Sequence, residues 1–99
     1  MLALALSVST GWGCTNAGVN FDSDAAQTIQ VGVDTRASVE QRMGPPRQKM
    51  GPPKGAAAGC VERWMYRYAH FGTFRDSVKV LVVDFDAAGV VCYSGYDEQ

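Results

Sequence analysis

The sequence predicts a small α+β domain, and three observations carry that prediction. Two short stretches early in the chain combine capping residues with helical apolar spacing. The second half switches to a period of two, followed by a continuous apolar run. Gly and Pro clusters separate the two textures. The architecture expected is two N-terminal helices packed on a three-stranded antiparallel β-meander, which lets a small sheet bury one face. With 99 residues the chain is one domain at most, and a chain of this size buries only about 60–65% of its unfolded surface.

Residues 1–14, MLALALSVSTGWGC, form an uncharged apolar run that ends in cysteine. The run is too short to span a bilayer, which takes about 20 residues. Small residues precede Cys14, as in a bacterial lipobox, where the cysteine is acylated and becomes the mature N-terminus. The other reading of this segment is an apolar strand or helix packed on the domain, with Cys14 a buried thiol. Residues 15–21 read as linker, and residues 22–95 as the domain.

Asp22, Ser23 and Asp24 open the first helix, with Asp24 and Gln27 at capping-box spacing. This helix is expected to run to Gln30 or Val31, where Gly32 can take positive φ. Asp34 or Thr35 caps the second helix, expected over residues 35–42. Val39 and Met43 are four apart and face the core. Arg36 and Glu40 are also four apart and are expected to pair on the wet face. Gly44, Pro45 and Pro46 stop the helix, because proline cannot continue one. Residues 44–59 are rich in Gly, Pro, Lys and Ala and read as a solvated loop, although MGPP occurs twice, at 43–46 and 50–53.

From Cys60 the pattern alternates. Trp64, Tyr66 and Tyr68 fall on one face, and Arg63, Met65 and Arg67 on the other. Residues 71–76 read as a hairpin connection. Residues 78–84 are apolar apart from Lys79 and the terminal Asp84, as expected of a central strand covered on both sides. Asp86, Ala87, Ala88 and Gly89 form a tight turn, with Gly89 supplying positive φ. A last strand covers residues 90–93. Residues 96–99 belong to a polar, acidic tail that begins at Ser94.

Nine basic and ten acidic side chains give a formal net charge of −1, which is no electrostatic footprint for nucleic acid. The three cysteines make an odd count, so at least one has no partner within the chain. A meander sets Cys60 and Cys92 about two strand spacings apart, roughly 9.6 Å, beyond the roughly 7 Å that a disulfide spans. A bridge between them needs the strand ends to converge. No CxxC occurs, and a zinc site would need all three cysteines and the single His70 to meet. His70, Cys60, Cys92, Glu62 and Asp76 are the conceivable catalytic groups, and no spacing recommends any combination of them. Asp84 and Asp86 read as the capping end of a hairpin. No catalytic, cofactor or metal site is expected.

The string Ile29-x-Val31-Gly32-x-Asp34-Thr35-x-x-x-Val39-x-x-x-Met43-Gly44-Pro45-Pro46 is followed by Trp64-Met65-Tyr66, then by an apolar strand from Leu81 to Phe85, Asp86, Gly89 and Val90. In order and spacing this resembles the SmpA/OmlA (BamE-like) family of small outer-membrane lipoproteins. The resemblance covers residues 29–93. It implies two helices on a three-stranded antiparallel sheet, also seen in the half-domains of β-lactamase-inhibitor proteins. It implies lipidation at Cys14, a membrane attachment through that lipid, and a location in the Gram-negative cell envelope on the periplasmic side of the outer membrane. The implied role is non-catalytic binding of an envelope protein, with the β-barrel assembly complex as the candidate partner. The candidate contact residues are Arg36, Glu40, Arg47 and Lys49 on the second helix and its loop, and Arg63, Met65 and Arg67 on the outer sheet face. The alternative is a secreted inhibitor domain of the same fold that inserts its Pro-rich loop into an enzyme cleft.

Overall fold

A computed structural model describes residues 15–17, 20–51, 54–74 and 76–99. The fold is α+β, with strands β1 (Thr15–Ala17), β2 (Gln48–Met50), β3 (Cys60–Phe71), β4 (Asp76–Asp86) and β5 (Val91–Glu98) and helices α1 (Ser23–Ala26) and α2 (Arg36–Met43). The expected meander is present as β3-β4-β5, antiparallel throughout. The sheet is larger than expected, because among the described residues five strands join it rather than three.

The two additional strands both pair with β3. β1 aligns Ala17 with Ala69 and Thr15 with Phe71, and β2 aligns Gln48 with Met65 and Met50 with Arg63. The stretches 15–21 and 44–59, expected as linker and loop, therefore each contribute one short strand. The physical reason is β3 itself. Twelve residues long, it would otherwise expose a row of unpaired backbone groups along its outer edge. The acidic tail is a second correction. β5 continues through Ser94 and Tyr96 to Glu98, and Tyr96 packs against the core.

One face of the sheet carries the core. Trp64 and Tyr66 of β3, Leu81, Val83 and Phe85 of β4, and Val91 of β5 are buried on it with Phe21, Ala26, Ile29 and Val39 from the helical half. Trp64 and Phe85 meet edge to face, with ring centroids 4.7 Å apart. Each fully buried large apolar side chain contributes about 1.5–3 kcal/mol. Tyr68, expected in this core, is only partly buried at its margin, as is Met43.

α2 begins as the sequence suggests. Thr35 is its N-cap and accepts from the Ser38 N–H, while Ser38 Oγ accepts from the Thr35 N–H at 2.8 Å. Gly44 ends it, donating its N–H to the Glu40 carbonyl at 2.7 Å. α1 is shorter than expected and starts from a different cap, Asp22, whose Oδ1 accepts from the Asp24 N–H. It stops at Ala26 because the backbone beyond is drawn elsewhere. Thr28 Oγ1 donates to the Ala25 carbonyl, and the Gln30 N–H donates to Asp34 Oδ2 at 2.7 Å.

Asp34 is the joint between the layers. It is 6% exposed. Its carboxylate also accepts from Ser38 Oγ at 2.9 Å and from the Arg42 guanidinium at 2.8 Å. Its carbonyl accepts from the Val91 N–H, and the Val91 carbonyl accepts from the Gly32 N–H. Arg36 donates its N–H to the Gly89 carbonyl. Gly89 takes φ +85, and a side chain there would meet the Arg36 guanidinium at 2.8 Å. The turn thus needs glycine for its backbone and for its neighbour.

Cys60 and Cys92 form a disulfide with Cα atoms 6.0 Å apart. A flat meander would hold them further apart. The register slips between Cys60 and Glu62 in one pair and between Asp84 and Phe85 in the next. Such bulges bend and twist the strands, and here they bring the start of β3 to the start of β5.

Two outcomes follow for stability. Removing the bridge with Cys60→Ser and Cys92→Ser lowers unfolding free energy by about 2–4 kcal/mol in urea titrations, since 32 residues separate the cysteines. Asp34→Asn costs about 1–3 kcal/mol at pH 7. The bond from Arg42, ahead of the Gln30 and Ser38 bonds, holds the Asp34 carboxyl below its ordinary 3.8 against the opposing effect of burial. A carboxylate whose folded pKa is depressed stabilises fully above the unfolded value and loses that contribution as pH falls through the folded one. The stability difference between wild type and Asp34→Asn is therefore constant above about pH 5 and shrinks below pH 4.

Candidate functional site

Among the described residues, no helix covers the second face of the sheet. Cross-strand register places its residues in rows: Arg63, Asp84 and Tyr93; Met65, Val82 and Gly95; Arg67, Val80 and Asp97. β2 extends the first two rows with Met50 and Gln48. Met50, Met65, Val78, Val80 and Val82 are half-buried, and Tyr93 is 44% exposed. The expectation that β4 is covered on both sides is corrected here. Leu81, Val83 and Phe85 are fully buried, whereas the alternate valines remain partly open to solvent. The end of this face next to β1 is closed, because Ala69 is 1% exposed.

A shallow groove of 280 Å³ runs over this face between Val80, Val82, Tyr93 and Asp97. The Tyr93 ring lies across Gly95, with its hydroxyl 2.6 Å from where a Cβ would stand. This is the aromatic cover that a glycine in a strand commonly takes. At the groove's margin Asp84 is almost completely buried and accepts both bonds of a bidentate pair, from Arg63 Nε at 2.7 Å and Arg63 Nη2 at 2.9 Å. Those bonds push the Arg63 pKa further up against the opposing effect of burial. Arg63 is therefore committed to holding Asp84 and is not a free contact.

The other candidate residues separate in the same way. Arg36 pairs with Glu62 rather than Glu40, with Nε 2.7 Å from Oε1, and lies over the Phe85 ring at 5.5 Å. The cross-layer partner wins because Glu62 is fixed on β3 and Phe85 offers a second contact. Arg36 lowers the Glu62 pKa by its bond, against burial. The buried Trp64 Nε1 has no fully aligned acceptor, although its N–H also favours the Glu62 carboxylate. Lys49 stacks over the Trp64 ring at 4.7 Å, on the core side of the sheet edge. Glu40 is exposed on α2. Cys14 lies outside the described residues. The seven proposed contact residues therefore do not form one surface. Arg36 and Arg63 hold the fold, Met65 joins the valines of the outer face, and Arg47 and Arg67 remain exposed.

Arg47 and Arg67 both touch the lining of a second concavity. A cavity of 260 Å³ opens where α2 ends, walled by Phe21, Met43, Pro46 and Tyr66, with both arginines in its lining. Tyr66 spans it, donating its hydroxyl to the Gly44 carbonyl at 2.7 Å. Burial, with the Glu40 charge second, pushes the Tyr66 hydroxyl well above its ordinary range, so it stays protonated. Sequence reasoning marked the two arginines but not the cavity, because Phe21 fell in the expected linker.

Glu62, one of the possible catalytic groups, pairs with Arg36. Cys60 and Cys92 are bonded to each other. Asp86 Oδ1 accepts from the Ala88 and Val90 N–H groups and closes the turn, as expected. Among the described residues no group of three or more His, Cys, Asp or Glu side chains could hold a metal ion. Among the same residues no helix is long and apolar enough to cross a membrane. No protein-family model matches the chain, and no curated protein matches it in sequence.

Proposed function

We propose that the chain is a non-catalytic, lipid-anchored interaction domain of the Gram-negative cell envelope, similar to the SmpA/OmlA lipoproteins. The observation that carries this reading is how the cysteines divide. Cys60 and Cys92 are joined, which suits an oxidising compartment outside the cytoplasm. That leaves Cys14, the residue directly before β1 and the residue the lipobox-like segment ends on.

Two further observations support it. The residues shared with the family pattern sit at structural joints: Thr35 caps α2, Val39, Trp64, Tyr66 and Phe85 are core, Gly44 ends α2, and Gly89 makes the last turn. The domain also offers a half-open apolar face around Met65, Val80 and Val82. Surfaces of that kind mark interaction sites more often than they occur by chance on a monomer. In this reading the lipid holds the domain at the inner leaflet of the outer membrane, and the open face meets an envelope protein such as the β-barrel assembly complex.

Expression of the full chain in a Gram-negative host, followed by membrane fractionation and intact-mass measurement, tests the anchor. The expected product begins at a triacylated Cys14 and sediments with membranes, and Cys14→Ala stays unprocessed. A wild-type product that starts at Met1 and remains soluble would overturn the lipoprotein reading.

A further inference from the structure

We infer that the turn end of the β3–β4 hairpin, which carries Phe71 and Phe74, dips into the headgroup region of a bilayer beside the lipid on Cys14. The inference rests on the lipid-anchor reading and adds how the domain meets the membrane.

Phe74 is 96% exposed and Phe71 is 47% exposed. Phe71 is the last residue of β3, and Phe74 lies in the connection before β4 begins at Asp76. One exposed apolar side chain is ordinary, but two phenyl groups at a single hairpin tip concentrate apolar surface at one point. The other exposed large apolar side chains among the described residues lie toward the disulfide end. Val61 is the second residue of β3 and Tyr93 the third of β5, and Gly32, between Val31 and Val33, donates its N–H to the Val91 carbonyl. The twelve residues of β3 set that end roughly 35 Å from Phe71.

The register brings the anchor to the same tip. β1 runs antiparallel to β3, with Ala17 opposite Ala69 and Thr15 opposite Phe71. Opposed residues of such a pair have Cα atoms about 5 Å apart, and one peptide link of about 3.8 Å joins Thr15 to Cys14. A lipid on Cys14 therefore has no linker that would let the tip stand away from the bilayer. A protein groove could also take the two rings, but nothing tethers such a groove to the tip, whereas the lipid is one residue from Thr15. Interfacial segments bury their apolar side chains about 5–10 Å into the boundary between headgroups and acyl chains. The charge at this end selects the surface. Asp76 stands opposite Phe71, and Asp97 and Glu98 stand opposite Val80 and Lys79. Carboxylates there are repelled by anionic headgroups, so the insertion is apolar and suits a zwitterionic surface.

The test uses the full chain with one fourteen-carbon acyl chain coupled to the thiol of Cys14, the cysteine outside the Cys60–Cys92 bridge. Chemical coupling needs no processing by a host, so failure of the tip and failure of the lipoprotein reading are told apart. A single such chain binds vesicles only marginally, with an association constant of about 10⁴ M⁻¹, so a second contact shows in the partition. Sedimentation with phosphatidylcholine vesicles is expected to show Phe71→Thr with Phe74→Ser partitioning about tenfold less than wild type. Phe74→Ser alone, at the almost fully exposed position, is expected to lose about threefold with an unchanged melting temperature. Val31→Ser with Val33→Ser, which removes exposed apolar surface at the other end, is expected to partition as wild type. Equal partition of wild type and both tip variants, or an equal loss in the Val31 and Val33 variant, would overturn the inference. So would a tip contribution that appears only on phosphatidylglycerol vesicles and vanishes at high salt, the mark of a charged contact.

Discussion

The Asp34 carboxylate accepts from the Gln30 N–H, the Ser38 hydroxyl and the Arg42 guanidinium, while its carbonyl accepts from the Val91 N–H. One residue thereby ties the connection between the helices, both ends of α2 and the start of β5 into a single joint. The helices need it. α1 has four residues and α2 eight, well below the dozen or more at which an isolated helix persists in water. Their stability comes from contact with the sheet, and Asp34 decides where that contact is made. Because the joint is buried and charged, it requires Arg42 to complete it, and a neutral replacement leaves the guanidinium without its partner.

The asymmetry of the sheet follows from this joint. Both helices are drawn to the face that carries Trp64, Tyr66, Leu81 and Phe85, and no described helix remains for the other. That other face keeps its valines and Met65 half-open, braced by the Arg63–Asp84 pair rather than by a packed layer. The long β3 edge is closed by two strands of three residues each. Where α2 ends against that edge, its Gly-Pro-Pro stop leaves the cavity that Arg47 and Arg67 border. The half-open face and the cavity are thus by-products of how a short chain covers one side of its sheet.

The local features were legible in the sequence. Periodicity marked β3, the apolar run marked β4, Thr35 marked the start of α2, and Gly44 and Gly89 marked ends and turns. What was not legible depends on distant partners. Three-residue strands such as Thr15–Ala17 and Gln48–Met50 have no period of their own and form only because β3 is beside them. Arg36 had Glu40 one helical turn away, yet the tertiary fold offered Glu62 and Phe85. The Cys60–Cys92 bridge is not legible in the sequence, because regular strand spacing does not anticipate the two bulges that close the distance. Of the candidate contact residues, charge alone does not separate those paired within the fold, Arg36 and Arg63, from those left exposed, Arg47 and Arg67.

Among the described residues, the domain closes one sheet face with its helices and leaves the other half-open. Hydroxyl-radical footprinting of the folded chain, read residue by residue along β4, tests it most directly, because neighbouring side chains on that strand alternate between the faces. The account predicts labelling of Val80 and Val82 and of Met65 opposite them, with protection of Leu81, Val83 and Phe85. Equal protection on both faces would contradict it, and would mean that the outer face is already covered within the chain.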